Sequence, residues 1–351
     1  MTATVQRPQP VEAPAPRHRS TVGLGLGALL LLGALAVVMF VSITIGARGV
    51  GLHTIWTAFT DYDPSSAEQT VIRELRVPRT LLGLLVGAGL GLAGALLQGV
   101  TRNPLADPGI MGINMGAAAG IVVAVMLFDG LSQSTSVWVG FAGAGIATVV
   151  VYGVASFGRE GATPVKLALA GAAVSASLYS VTTGVTMTDL QALNELRFWQ
   201  VGSLSGRYLP VLSQTWPFLV AGIAVALLLG RSLNGLALGD DLAVALGQRV
   251  RLTRVVVFVT VALLGGAATA ACGPIVFVGL VVPHIARALC GPDYRWILPY
   301  TFLLSPIILL CADVLGRVLD SPSELQVGVV LGVVGAPAFI LLVRRKDLAQ
   351  L

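Results

Sequence analysis

Charge is the scarcest property of this chain of 351 residues: Asp, Glu, Lys and Arg make up 11% of it, against about 25% in an ordinary soluble domain. With 55% hydrophobic residues beside that shortage, a water-soluble globule is excluded. Cysteine is nearly missing too. Cys272, Cys290 and Cys311 fall in or beside apolar stretches without metal-ligand spacing, so they read as small buried hydrophobes. The histidines, His18, His53 and His284, are scattered and form no hydrolase constellation. No G-x-x-x-x-G-K-[ST] loop occurs, so any ATP used with this chain is hydrolysed by another one. Carboxylates are almost absent from the apolar runs. Asp313 is the one plausible carboxylate at depth, which argues against an ion-driven transporter and against an intramembrane enzyme. The net charge of +5 is no nucleic-acid footprint, because the arginines lie between apolar runs.

What the chain has is apolar length. "GLGLAG" at 89–94 matches the G-x-G-x-x-G dinucleotide fingerprint, but that fingerprint needs a strand before it and an acidic residue about 20 positions on. Here it lies inside an uncharged stretch that runs from Arg79 to Arg102, long enough to span a bilayer. Gly83, Gly87 and Gly91 recur every fourth residue in it and make a smooth stripe for close helix packing. The glycines serve packing, and no cofactor is implied.

Uncharged runs predict an all-α polytopic membrane protein with about ten transmembrane helices, near 23–46, 80–100, 109–128, 136–157, 165–188, 209–230, 253–272, 274–290, 297–316 and 326–343. "CGP" at 272–274 is the expected break between the seventh and eighth. Residues 1–20, proline-rich and polar, read as a disordered cytoplasmic tail, 21–346 as the transmembrane domain, and 347–351 as a second cytoplasmic tail. Alternating from a cytoplasmic N-terminus places 15 of the 22 Lys and Arg residues inside and both termini in the cytoplasm. Two connections are long, 47–79 outside and 231–252 inside. The inner one carries Leu238, Gly239, Asp240, Asp241, Leu242, Ala245, Leu246 and Gly247, which read as short helices about a glycine turn whose apolar residues invite a protein partner. Between the second and third spans, Asn103 and Pro104 close one helix, and Asp107 and Pro108 are a matched N-cap and first-turn pair for the next.

"GAGLGLAGALLQGVTRNPLADPGIMGINMGA" (87–117) resembles the hallmark segment of the FecCD-type permeases, the membrane subunits of ABC importers for ferric siderophores, haem and cobalamin. "RELRVPR" (73–79), "FWQVGSLSG" (198–206), "LGDDLAVALG" (238–247), "CGPIVFVGLVVPHIAR" (272–287) and "ELQVGVVLGVVGAPAFILLVRR" (324–345) resemble further family segments in the same order. Val77 stands where leucine is more usual and Gln326 where proline is. The resemblance implies a BtuC-like type II ABC importer permease fold in a bacterial cell membrane. It also implies a second permease subunit, identical or homologous, an ATPase dimer at the 238–247 coupling loop, and an extracytoplasmic binding protein or lipoprotein. By the same resemblance, Arg76, Arg79 and Arg317 meet acidic residues of that binding protein, at the water interface. A ferric siderophore is the expected cargo. Cobalamin or haem carried by the same machinery, and an ion-coupled secondary transporter, are the alternatives.

Overall fold

The structure is a computed structural model that describes residues 20–46, 49–128, 130–157, 163–321 and 323–344, the side chains of 342 and 343 excepted; the two expected tails lie outside it, apart from Ser20. Ten apolar helices order the chain: α1 (Thr21–Thr44), α2 (Val77–Thr101), α3 (Ile113–Phe128), α4 (Gln133–Ala155), α5 (Pro164–Thr188), α6 (Leu209–Leu228), α7 (Val250–Cys272), α8 (Val278–Cys290), α9 (Tyr294–Leu319) and α10 (Val327–Arg344). Seven are long and apolar enough to cross a membrane, whereas α3, α8 and α10 are shorter. Among the described residues none lies in a strand.

The chain is built around α2. This helix packs against α6, α7, α8 and α9, and nearly all its residues from Thr80 to Thr101 are buried. Its small residues allow this. A Cβ on Gly87 would lie 2.7 Å from the Pro306 Cα in α9, and one on Gly83 would lie 2.6 Å from the Leu310 side chain. Gly91 faces Ser305 of the same helix, and Gly94 faces the Gly279 carbonyl of α8. In lipid, such close backbone approach replaces the hydrophobic drive available in water. Gly87→Leu is therefore expected to lower the melting temperature of the detergent-purified subunit. The neighbour is backbone, which cannot yield as a side chain does, so overpacking here exceeds the usual 1–3 kcal/mol or so. An unchanged melting temperature would show that α2 and α9 can part at this level.

Helix α8 contains Pro283, which has no N–H to offer the carbonyl of Gly279 four residues earlier. Gln98 of α2 takes that role. Its Nε2 donates to the Gly279 carbonyl at 3.3 Å and the Leu280 carbonyl at 3.2 Å, while its Oε1 accepts from Arg287. With no water at membrane depth, a freed carbonyl needs such a partner.

Three boundaries differ from the sequence expectation. The connection 47–79 is largely helical: Leu52–Thr60 forms one helix, and a second runs unbroken for 35 residues from Ala67 to Thr101. Charged residues ended the apolar run there without ending the helix. A π-turn at Val71–Arg76 makes room for Pro78. The Asp107–Pro108 pair caps a separate 3₁₀ turn, Pro108–Met111; the Asp107 side chain accepts from the Gly109 N–H at 2.8 Å, and α3 begins only at Ile113 beyond the left-handed Gly112. Lastly, α7 ends at Cys272 as expected, but α8 waits until Val278, because Gly273 and Phe277 both take positive φ.

Candidate functional site

At one end of the bundle, α1 finishes with carbonyls that its own helix cannot satisfy. Two arginines satisfy them. The Arg76 guanidinium donates to the carbonyls of Ile43 at 2.9 Å and Thr44 at 2.7 Å. The Arg317 guanidinium donates to those of Ser42 at 2.8 Å and Ile45 at 2.7 Å. Positive charge at a helix C-terminus also complements its dipole. Beside them, Arg79 donates through Nε and Nη2 to Asp313, the latter at 2.8 Å, and through Nη1 to Glu324 at 2.7 Å. Arg317 closes the group with a 3.0 Å contact to Asp313. Three cations and two carboxylates thus join α1, α2, α9 and the segment before α10.

The structure brings Arg76, Arg79 and Arg317 together, as the resemblance implies, but corrects where they sit. Arg76 is 7% exposed and Arg317 3%, so these side chains belong to the packed interior rather than the water interface. Their capping of α1 is the reason. Above them opens a cavity of about 470 Å³ lined by Arg76, Arg79, Arg207, Arg317, Tyr208 and Glu324, among others. The Nε of Arg207 is buried there without a hydrogen-bond partner among the described residues. Burial tends to raise the Glu324 pKa, but the Arg79 hydrogen bond and charge, with Ser205, hold it below the usual carboxylate range. That contact contributes stability above the unfolded carboxylate pKa and loses it as pH falls through the lower folded value.

Beneath this cavity three motif segments distant in sequence meet. Gly202 takes φ +72 and Gly273 φ +74. A Cβ on Gly202 would strike the Pro274 carbonyl, one on Gly273 the Trp199 carbonyl, and one on Gly328 the Val201 carbonyl. The Ser203 N–H donates to the Cys272 carbonyl at 2.7 Å, and the Gly328 N–H to the Gly202 carbonyl at 3.0 Å. Non-helical backbone in a membrane protein has to find such partners within the protein, which gives the glycines of the "FWQVGSLSG", "CGP" and "ELQVG" segments one shared reason.

The opposite end carries the 231–252 segment. It folds as helix Gly230–Ala237, a turn at Gly239 with φ +111, a short helix Asp240–Ala245, and a second turn at Gly247 with φ +80. Only Ala243 of the short helix is buried, whereas Leu238, Leu242, Val244 and Leu246 are 56–67% exposed. Ala245 is exposed as well. Asp240 fixes the helix to the bundle. One oxygen meets Arg102 and the other Arg254 at 2.8 Å. Arg102, left-handed at φ 51, caps α2 and also donates to the Leu236 carbonyl at 2.7 Å. Next to it, Asn103 accepts the Leu105 N–H at 2.9 Å, and Pro104 lies in the turn.

Gln98, Arg102, Arg207, Arg254 and Glu324 escaped the sequence reading. A lone amide in a long apolar helix, facing a helix that contains proline, was the available signal for Gln98. For Arg102, Arg254 and Glu324 the partners are over a hundred residues away or lie across a turn, and nothing local marks them or Arg207.

These helices, with irregular backbone sealed inside the bundle and a protruding segment at one end, define a polytopic helical permease. Residues 34–345 match the FecCD transport family. The chain belongs to that family. It is 46% identical over 327 residues to the ferric enterobactin transport system permease protein FepD of Escherichia coli (strain K12), covering 93% of this chain and 96% of that one. It is 40% identical over 318 residues to the iron(3+)-hydroxamate import system permease protein FhuB of Bacillus subtilis (strain 168), covering 91% and 81%. A solved structure described as a metal-chelate type ABC transporter in an inward-facing conformation aligns with TM-score 0.79 and 28% identity, over 91% of this chain and 99% of that one.

Proposed function

We propose that this chain is the membrane-spanning permease subunit of an ATP-driven importer that carries a ferric siderophore across a bacterial cytoplasmic membrane. The observation that carries the reading is the exposed apolar helix Asp240–Ala245, held on the bundle by Arg102 and Arg254. Leucines left in water at the end of a membrane bundle need a protein to cover them, and an ATPase subunit, one for each of two paired permeases, is the partner proposed. The surplus of Lys and Arg on the same side supports a cytoplasmic location for it and for both termini. ATP hydrolysis belongs to that partner, and this chain contributes a pathway that opens to each side in turn. Ferric enterobactin is the first cargo to try, from the likeness to FepD.

At the other end, the cavity lined by Arg76, Arg79, Arg207 and Arg317 is proposed to receive acidic side chains of an extracytoplasmic binding protein. Arg76 and Arg317 hold the wall through α1, while Arg79 and Arg207, whose Nε has no hydrogen-bond partner among the described residues, face the incoming carboxylate. Charge reversal at Arg76 or Arg79 would disturb the fold and the docking together, so Arg207→Glu is the cleaner variant. Its affinity for the binding protein is expected to fall about tenfold or more, since close interfacial charge pairs contribute ~1.5 kcal/mol upwards. Titration of the detergent-purified transporter at two salt concentrations measures it, with the difference from wild type shrinking at high salt. Wild-type affinity at low salt would remove Arg207 from the interface.

A further inference from the structure

Away from both ends, an apolar groove of about 630 Å³ lies between α4 and α7. The rings of Tyr152 and Phe258, 5.4 Å apart, are part of it, with Gly145, Gly153, Val255 and Val259 around them. A Cβ on Gly145 or Gly153 would meet nothing within 4 Å, so missing side chains make the hollow. Val255 and Val259 are exposed along it. One turn earlier on the same face of α7 comes Arg251, four residues before Val255. Arg251 is exposed and makes no ion pair among the described residues, whereas Arg254 is held by Asp240 at 2.8 Å. From Arg251 to Leu263 at the far end of the groove the helix rises about 18 Å. One leaflet of hydrocarbon is about 15 Å thick.

We infer that this groove holds one acyl chain of an anionic phospholipid, with the headgroup phosphate resting on Arg251. The length suits a single leaflet, the lining is apolar, and the cation stands where that leaflet's headgroups begin. The inference rests on the membrane location of the chain and not on its cargo. A lipid held so would brace α7 against α4 just beyond the segment that the Asp240–Arg254 pair pins to the bundle.

The test uses the transporter assembled with its ATPase, equilibrated in detergent with equal amounts of dioleoyl phosphatidylglycerol and dioleoyl phosphatidylcholine. Native mass spectrometry then counts the lipids retained. Wild type is expected to keep phosphatidylglycerol in preference, and Arg251→Ala to lower that preference about fivefold, the effect of one basic residue near an anionic surface. Gly145→Leu combined with Gly153→Leu fills the groove and should release the lipid whatever its headgroup. The melting temperature measured without lipid should stay at the wild-type value, because both sites have room for the added side chain. Equal retention of the two lipids by wild type, or full retention by the filled variant, would overturn the assignment. So would dissociation of the paired permeases in the filled variant, which would give the groove to a second copy of this chain.

Discussion

Asp313→Ala is expected to destabilise the subunit by about 3–5 kcal/mol, the cost of removing one partner from a buried ion pair. Asp313 is 1% exposed and faces both Arg79 and Arg317. Without it, Arg79 keeps only Glu324, and Arg317 keeps only the carbonyls and hydroxyl at the end of α1. The Arg317 guanidinium would then be buried with no carboxylate in contact, and Arg79 would keep a partly exposed one. Asp313→Asn preserves the shape but not the charge, so it should be nearly as damaging. Denaturant or thermal unfolding of the purified subunit measures both variants. A loss below about 1 kcal/mol, the range of an exposed pair, would mean that water reaches the cluster and the arginines do not depend on Asp313.

The second large effect is expected at the opposite end. Leu242→Asp together with Leu246→Asp should leave the subunit folded, because both side chains are already more than half exposed, at 56% and 67%. Docking of an ATPase should suffer severely. Covering a leucine contributes about 1.5–3 kcal/mol, so losing two weakens the contact on the order of 100-fold or more. Stimulation of ATP hydrolysis by a loaded binding protein should disappear. Asp240→Asn makes a useful companion, since it leaves the apolar surface intact and loosens only its attachment to Arg102 and Arg254. It should preserve ATPase binding and weaken stimulation. If the double leucine variant were stimulated like wild type, the Asp240–Ala245 helix would not be the coupling surface.

Much of the fold was legible in the sequence because a bilayer imposes one rule along the whole chain. Every spanning segment must be apolar and satisfy its own backbone, so uncharged runs of about 20 residues announce themselves. All ten expected helices appear, several within three residues of their expected bounds. The helices depart from the sequence expectation where a charge or a proline suggests a boundary that the backbone does not follow. Arg73, Glu74 and Arg76 stopped the apolar run, yet the helix continues through a π-turn. Glycine spacing on α2 was visible in the sequence, but that the stripe meets Pro306 and Ser305 was not, because a helix period gives a face and not a neighbour.

The arginine cluster was the least legible part. The place of these arginines at the outer ends of the second and ninth spans suggests exposure, and only the three-dimensional structure assigns Arg76 and Arg317 to the end of α1, more than thirty residues away from the nearer of them. The same limit hid Gln98, whose partner carbonyl is freed by a proline in another helix.

The central claim, that this chain carries a ferric siderophore only when an ATPase drives it, is tested most directly by uptake into proteoliposomes. The vesicles would hold the paired permease with its ATPase, ATP inside, and ferric enterobactin loaded on the binding protein outside. Accumulation of labelled iron is expected only when ATP and the binding protein are both present, and it should be indifferent to a protonophore. Uptake that persists without ATPase and collapses with the protonophore would contradict the claim and point to ion coupling.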